Sequence, residues 1–224
     1  MRIRPFLAAV LTTALVGPTA AVISTAAPSS AAESTRIVAS DGGPWLEPGY
    51  RSQGKVPAVG ESLYVSVNVQ TTSGTRVYDG SVQVQFKAAG TNSWKTVASS
   101  SSAYLSETIK ARQTGVYRAV YSGSGNYAAT SVEKKQKVQR KVVTNTISGK
   151  RAGFKGKVVP KGKVGIVIQK KVGKKFKPFR TQKTDKKGRY TIYLPAPRSG
   201  RTYWKITFKG NKKFAKTILR GYTY

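Results

Sequence analysis

Apolar and polar residues alternate along most of the chain. Leu63, Val65, Val67 and Val69 fall on one face of a pleated segment, with Tyr64, Ser66 and Asn68 on the other. A period of two is the signature of a half-buried strand. The same alternation marks Val82, Val84 and Phe86, then Tyr117, Ala119 and Tyr121. It continues through Phe154, Gly156 and Val158, through Tyr190, Ile192 and Leu194, and through Trp204, Ile206 and Phe208. Trp94 and Val97 sit in a short run after the turn signal Gly90-Thr91-Asn92. Other turn signals separate the runs at Asp79-Gly80, Gly123 to Asn126, Asp185 to Gly188, Pro195 to Gly200 and Gly210-Asn211. Long helical periodicity is missing. Short strands with regular turns predict an all-β protein, a sandwich or a barrel.

The pattern repeats itself. Val82, Val84, Phe86, Trp94 and Val97 align without gaps on Val164, Ile166, Ile168, Phe176 and Phe179, an offset of 82. Tyr121 to Thr130 aligns on Phe208 to Thr217, an offset of 87, so five residues are inserted between the two blocks. Core-type positions are kept while exposed ones change to Lys, which predicts two copies of one β module. The modules are expected at residues 33–140 and 141–224. The stretch Glu133 to Thr146 has neither Gly nor Pro, so one module should run almost directly into the next. The long segment Asp41 to Gly60 reads as an irregular loop whose Trp45 and Tyr50 fold back to close the end of the sandwich. Ser99 to Ser102 reads as a surface loop.

Residues 1–32 have the order of an export signal: Arg2 and Arg4, an apolar run from Phe6 to Val16, then small residues. Cleavage is expected after Ala32, with Ala27 as the alternative. The run is shorter than the ~20 apolar residues of a spanning helix. This predicts a secreted protein, held in the extracellular space or at the cell wall.

Composition narrows the chemistry. Among 224 residues there is no Cys and no His. Thiolate nucleophiles, disulfides, His-based triads and Cys- or His-ligated metals are thereby excluded. Lys and Arg number 40 against 8 acids, and the charge is unevenly divided. From Glu33 to Glu133 there are 9 basic and 7 acidic residues; from Lys134 to Tyr224 there are 29 basic residues and one acid, Asp185. One half is near neutral and the other is extremely cationic, which suggests modules with different surfaces.

The first half resembles bacterial Ig-like repeat domains of secreted and surface proteins. The carrying residues are Val59 to Val65, Asp79 to Val82, Ser93 to Val97, Thr114 to Ser124, and Asn126-Tyr127. In that resemblance Tyr117 takes the place of the corner tyrosine, and Ala119 stands where immunoglobulin domains carry their second Cys. The second half resembles a related module of exported proteins, through Gly156 to Val158 with Pro160, Val167 to Gln169, Thr184-Asp185, Gly188 to Tyr190, and Tyr203 to Ile206. It departs from that pattern in having Phe176 for the usual Trp and far more Lys. The resemblance implies tandem Ig-like sandwiches acting as spacers, adhesion modules or accessory domains, and no catalysis.

The residues themselves offer little reactive chemistry. Asp41 and Glu47 share a loop, but seven of the eight acids lie in one half, where a chance pair is expected. Asp185 reads as a turn residue before Gly188, and the turn lacks the oxygen ligands of a calcium loop. No catalytic residue, cofactor or metal is expected. The basic half is the feature beyond architecture. Candidate polyanion-binding residues are Lys155, Lys157, Lys170, Lys171, Lys174, Lys175, Lys177, Lys186, Lys187, Arg189, Lys205, Lys209, Lys212 and Lys213. Lys-rich surfaces attract polyanions as point charges, whereas bidentate base reading favours Arg. Tyr193, Tyr203, Tyr222 and Tyr224 are expected to face outward and to pair across strands. The expected partner is an anionic polymer, teichoic acid-like or nucleic acid, bound with low specificity. Three functions are compatible with this: attachment to anionic envelope polymers, sequence-nonspecific binding of extracellular DNA, and an accessory role in an extracellular hydrolase system.

Overall fold

A computed structural model describes residues 31–149 and 152–224. The expected export signal lies outside the described residues except for its last two positions. Every strand pair among the named strands is antiparallel, and the described residues contain strands and turns without a helix. The protein is therefore all-β, in several antiparallel sheets.

Four sheets account for the strands. In the first, β3 (Ser62–Thr71) pairs on one edge with β1 (Thr35–Val38) and β2 (Leu46–Pro48), and on the other with β6 (Tyr104–Lys110). The second has the order β5-β4-β7-β8, built from β4 (Val82–Ala88), β5 (Trp94–Ser100), β7 (Gly115–Tyr121) and β8 (Thr130–Gln136). Only residues 137–140 separate β8 from β9 (Lys141–Ile147), which pairs with β10 (Gly153–Val159), itself paired with β13 (Arg189–Tyr193). The last sheet has the order β12-β11-β14-β15, from β11 (Gly165–Val172), β12 (Lys175–Lys183), β14 (Thr202–Phe208) and β15 (Thr217–Thr223).

The alternation works as the sequence requires. Leu63, Val65, Val67 and Val69 are buried with Val82, Val84, Tyr117, Ala119 and Tyr121 in one apolar cluster. Val158, Ile166, Ile168, Ile192, Trp204, Ile206 and Phe208 form a second. Each cluster is filled by the inward faces of two sheets, which is how an antiparallel sheet hides one side and wets the other. Ala32–Tyr224 forms one compact unit.

The second and fourth sheets share one strand order, and their ladders show where the sequence alignment slips. Val82 pairs with Tyr121, and Ile166 pairs with Phe208. A bulge follows Val84 in one sheet and Ile168 in the other. Val82 therefore corresponds to Ile166, two residues beyond the gapless alignment. Because side chains alternate with period two, an even slip leaves every inward position inward. The difference is absorbed by the hairpin, which has residues 89–93 between its strands in the first case and 173–174 in the second.

Other local expectations changed. Trp45 is buried in the first cluster, but Tyr50 stands 82% exposed. The segment 41–60 is not wholly irregular, because Leu46–Pro48 adds a strand to the sheet edge. Ser99 and Ser100 end β5 rather than forming a loop. In the first half, the hydroxyl that ties a tyrosine to the main chain belongs to Tyr121, which donates to the Asp79 carbonyl at 2.8 Å. Tyr117 instead packs its ring on Phe86 at 4.6 Å between centroids. Gly80 in that turn has φ +90°, and a Cβ there would lie 2.6 Å from the Tyr121 ring, so only glycine lets the turn and ring meet.

Candidate polyanion-binding surface

The second half carries its cations where strand alternation puts them. Lys155 and Lys157 face outward from β10, and Arg189 opens β13. Lys170, Lys171, Lys174, Lys175 and Lys177 surround the β11–β12 hairpin. Lys186 and Lys187 occupy the turn before β13, and Lys209, Lys212 and Lys213 the loop after β14. All of these are exposed, and Lys205 on β14 is half-buried. The structure does not gather them into one patch. It spreads them over both outer faces of the second half, with local groups at the hairpin and at the 209–213 loop.

Several cations oppose one another directly. Lys157 is the cross-strand partner of Arg189, Lys170 of Lys177, and Lys205 of Arg220. Like charges placed opposite in a ladder are destabilising, by roughly 0.2–1 kcal/mol each. The first half shows the alternative. There Arg118 on β7 is the partner of Glu133 on β8. Arg118 corresponds to Lys205 and Glu133 to Arg220, both at the offset of 87. The same ladder position holds an acid in one sheet and a base in the other.

The outer face of the last sheet also carries rings. Phe176, Tyr203 and Tyr222 lie in one cross-strand row, with Lys171 between Phe176 and Tyr203. Tyr203 and Tyr222 are 5.9 Å apart between centroids, and Tyr224 lies 6.0 Å beyond Tyr222. Cations stand over them: Lys171 at 5.3 Å from the Tyr203 ring, Arg201 at 4.6 Å from Tyr222, and Lys205 at 5.8 Å from Phe176. Cation–π geometry of this kind keeps ammonium and guanidinium groups at the surface rather than folded away. The corresponding site of the first half holds Arg118 over Trp94 at 4.1 Å. Tyr193, expected outward with this set, is exposed on β13, in the other sheet of this half.

Where 137–140 joins the two halves, polar contacts are dense. Gln139 is 3% exposed. Its amide Nε2 donates to the carbonyls of Gln53 and Val56, each at 2.7 Å. Its main chain accepts from Val59 N–H at 3.0 Å and donates to Pro57 at 2.9 Å. Gln53 in turn pairs its side-chain amide with both main-chain groups of Val142. From the far side, Ala215 N–H donates to Val138 at 2.8 Å, Thr114 N–H to Lys213 at 2.9 Å, and the Thr217 hydroxyl to Arg140 at 2.9 Å. Arg140 lies 4.3 Å over the Phe214 ring, and its burial pulls the guanidinium pKa down. Glu61 organises the 52–61 loop. Burial would raise its carboxyl, but hydrogen bonds from the Ser52 hydroxyl, Ala58 N–H and Ser52 N–H, with the charge of Lys141, outweigh this and hold it below its usual value.

Reactive groups are not assembled in this way. Asp185 accepts from Arg189 N–H at 2.7 Å and closes its turn, as its place before Gly188 predicts. Asp41 does the same for Gly43 at 3.0 Å. Among the described residues no group of three or more acidic side chains is placed to hold a metal. No helix among them is long and apolar enough to cross a membrane.

No family model matches the chain. No curated protein matches it either. Sequence reasoning did not single out Arg201 and Arg220, which share the ring-bearing face, or Lys55 and Lys137 at the junction. Alternation along β15 already placed Arg220 between Ile218 and Tyr222 on one face. Nothing local in the sequence links Lys55 to Lys216.

Proposed function

We propose that the mature chain is a tandem of two Ig-like sandwiches, residues 33–140 and 141–224, acting as an exported, non-catalytic protein. The second sandwich attaches electrostatically to anionic polymers of the cell envelope, and the first serves as a spacer or presents loops. The shared strand order of the β5-β4-β7-β8 and β12-β11-β14-β15 sheets supports the tandem reading, as does the burial of apolar residues in two clusters, one reaching Val138 and the other starting at Val142.

One observation carries the functional reading. The ladder site that sets Arg118 opposite Glu133 in the first half, where the guanidinium donates to Gln85 Oε1 at 2.7 Å, opposes Lys205 to Arg220 in the second. Folding alone favours the acid there. A surface that repeatedly sets cation against cation gives up stability for field strength, and such a field concentrates polyanions. Lys predominates, which suits polymers recognised by charge rather than by a base sequence.

The direct test is sedimentation of the mature protein with isolated cell walls. Binding at low ionic strength, release by moderate salt, and loss after chemical removal of the anionic wall polymers are expected. Binding that survives their removal overturns the reading. The exposed Tyr203–Tyr222–Tyr224 row favours a second reading, single-stranded nucleic acid, because bases stack on rings beside cations. Preference for DNA over a wall polymer of equal charge would select it.

A further inference from the structure

The junction of the two halves contains a cleft of about 650 Å³, within the ~300–1,000 Å³ range of ligand sites. Lys55, Lys137, Lys212, Lys216 and Arg220 line it, and none of its lining residues is acidic. Its floor includes the half-buried Val56, Ala215 and Ile218. We propose that this cleft is a specific seat for a short segment of a phosphodiester polymer, resting on the attachment function above and giving it a defined site.

Three features point to that chemistry. Four of the five cations are ammonium groups, compact point charges that bind phosphate by charge rather than through the paired, planar hydrogen bonds of Arg forks. The apolar floor accommodates the carbon linkage between successive phosphates. Two polar groups of the walls are already committed: Gln139 Nε2 donates to Gln53 and Val56, and the Thr114 hydroxyl bonds Val138 at 3.3 and 3.0 Å. Recognition then rests mainly on charge and shape, which a repeating polymer satisfies at any unit, with the Asn211 amide as the remaining polar group of the lining.

The cleft is also preformed. The Gln139 amide fixes the 53–56 wall, and the Ala215–Val138 and Thr114–Lys213 hydrogen bonds fix the opposite one. Rigid walls reduce the ordering cost of binding. The site is continuous with the ring-bearing face, because Ile218 and Arg220 alternate with Leu219 along β15 and lead to Tyr222. A linear polymer seated in the cleft is thus guided along the edge strand, which at ~3.3 Å per residue runs about 20 Å.

The test measures binding of the mature protein to a poly(glycerol phosphate) and to single-stranded DNA matched in charge, at low salt. Two triple variants of equal net charge are compared: Lys55→Ala/Lys212→Ala/Lys216→Ala in the cleft, and Lys161→Ala/Lys163→Ala/Lys183→Ala away from it. Circular dichroism and melting confirm that both fold. The cleft triple is expected to weaken at least one polymer tenfold more than the control triple, and the polymer most affected names the source. Equal losses for both triples overturn the cleft while leaving the diffuse attachment intact. Failure of the wild-type protein to bind either polymer overturns both.

Discussion

Replacing Arg220 by Glu gives the second site the ladder neighbours of the first, a base opposite an acid. In the parent protein, Arg220 faces Lys205 across β14 and β15, while the corresponding Glu133 faces Arg118. The substitution removes a like-charge pair and creates an opposite-charge pair, each worth ~0.2–1 kcal/mol. The expected gain is about 0.5–2 kcal/mol at low ionic strength. For a protein of this size 1 kcal/mol moves Tm by roughly 2–4 °C, so melting should rise by about 1–8 °C. Salt should shrink the difference, because exposed charges are screened over ~10 Å at 0.1 M. Differential scanning calorimetry in ~20 mM and ~500 mM salt reads both effects, and a polymer-binding assay reads the cost. Arg220→Glu should be more stable and bind anionic polymer more weakly. A variant that melts at or below the parent temperature in low salt would refute the claim that this ladder sacrifices stability for charge.

Further outcomes test other parts of the account. Gln139→Ala removes two buried donations and leaves the Gln53 and Val56 carbonyls unsatisfied; a loss of about 2–3 kcal/mol in urea unfolding is expected, and a loss under ~0.5 would show that the junction is not held by this residue. Trp204→Ala empties the centre of the second core, where Trp204 meets Phe179 edge-on at 5.0 Å and donates from Nε1 to the Thr223 hydroxyl at 3.0 Å; it should cost ~3–5 kcal/mol, and near-native stability would contradict the packing. Burial pushes the Tyr117 hydroxyl up to about 12, against a smaller opposing effect of Arg112. The folded state therefore prefers the neutral phenol, so this contribution is intact below pH ~10 and is lost as pH rises from there towards 12. An absorbance titration of phenolate should find one tyrosine ionising last, and Tyr117→Phe should remove it; an unchanged titration curve would contradict the assignment.

The inward faces of the strands were readable because alternation is a local property. Leu63 to Val69 and Trp204 to Phe208 fixed their own orientation before any partner was known. Register was less legible. Hairpin length moved the β4–β11 correspondence by two residues, and sequence similarity of apolar positions is blind to an even slip. Corner chemistry depended on a contact between distant residues, so the choice between Tyr117 and Tyr121 needed the Asp79 carbonyl in place. The charged surface was legible as an amount but not as an arrangement. Lysines on strands β10 and β14 share a composition yet face opposite sides of the second half. Lys55 meets Lys216 in one cleft only because Gln139 draws the 53–56 loop onto the connection between the halves, and a hydrogen bond spanning more than 80 residues leaves no periodic trace in the sequence.

The most direct test of the central claim is the affinity of residues 33–224 for a phosphodiester polymer measured across ionic strength. If the second half acts through its positive field, the binding constant falls steeply and linearly on logarithmic axes, by about tenfold or more between ~50 and ~200 mM salt. Residues 33–140 prepared alone should then show no such binding. An affinity independent of salt, or one carried equally by the near-neutral half, would contradict the account.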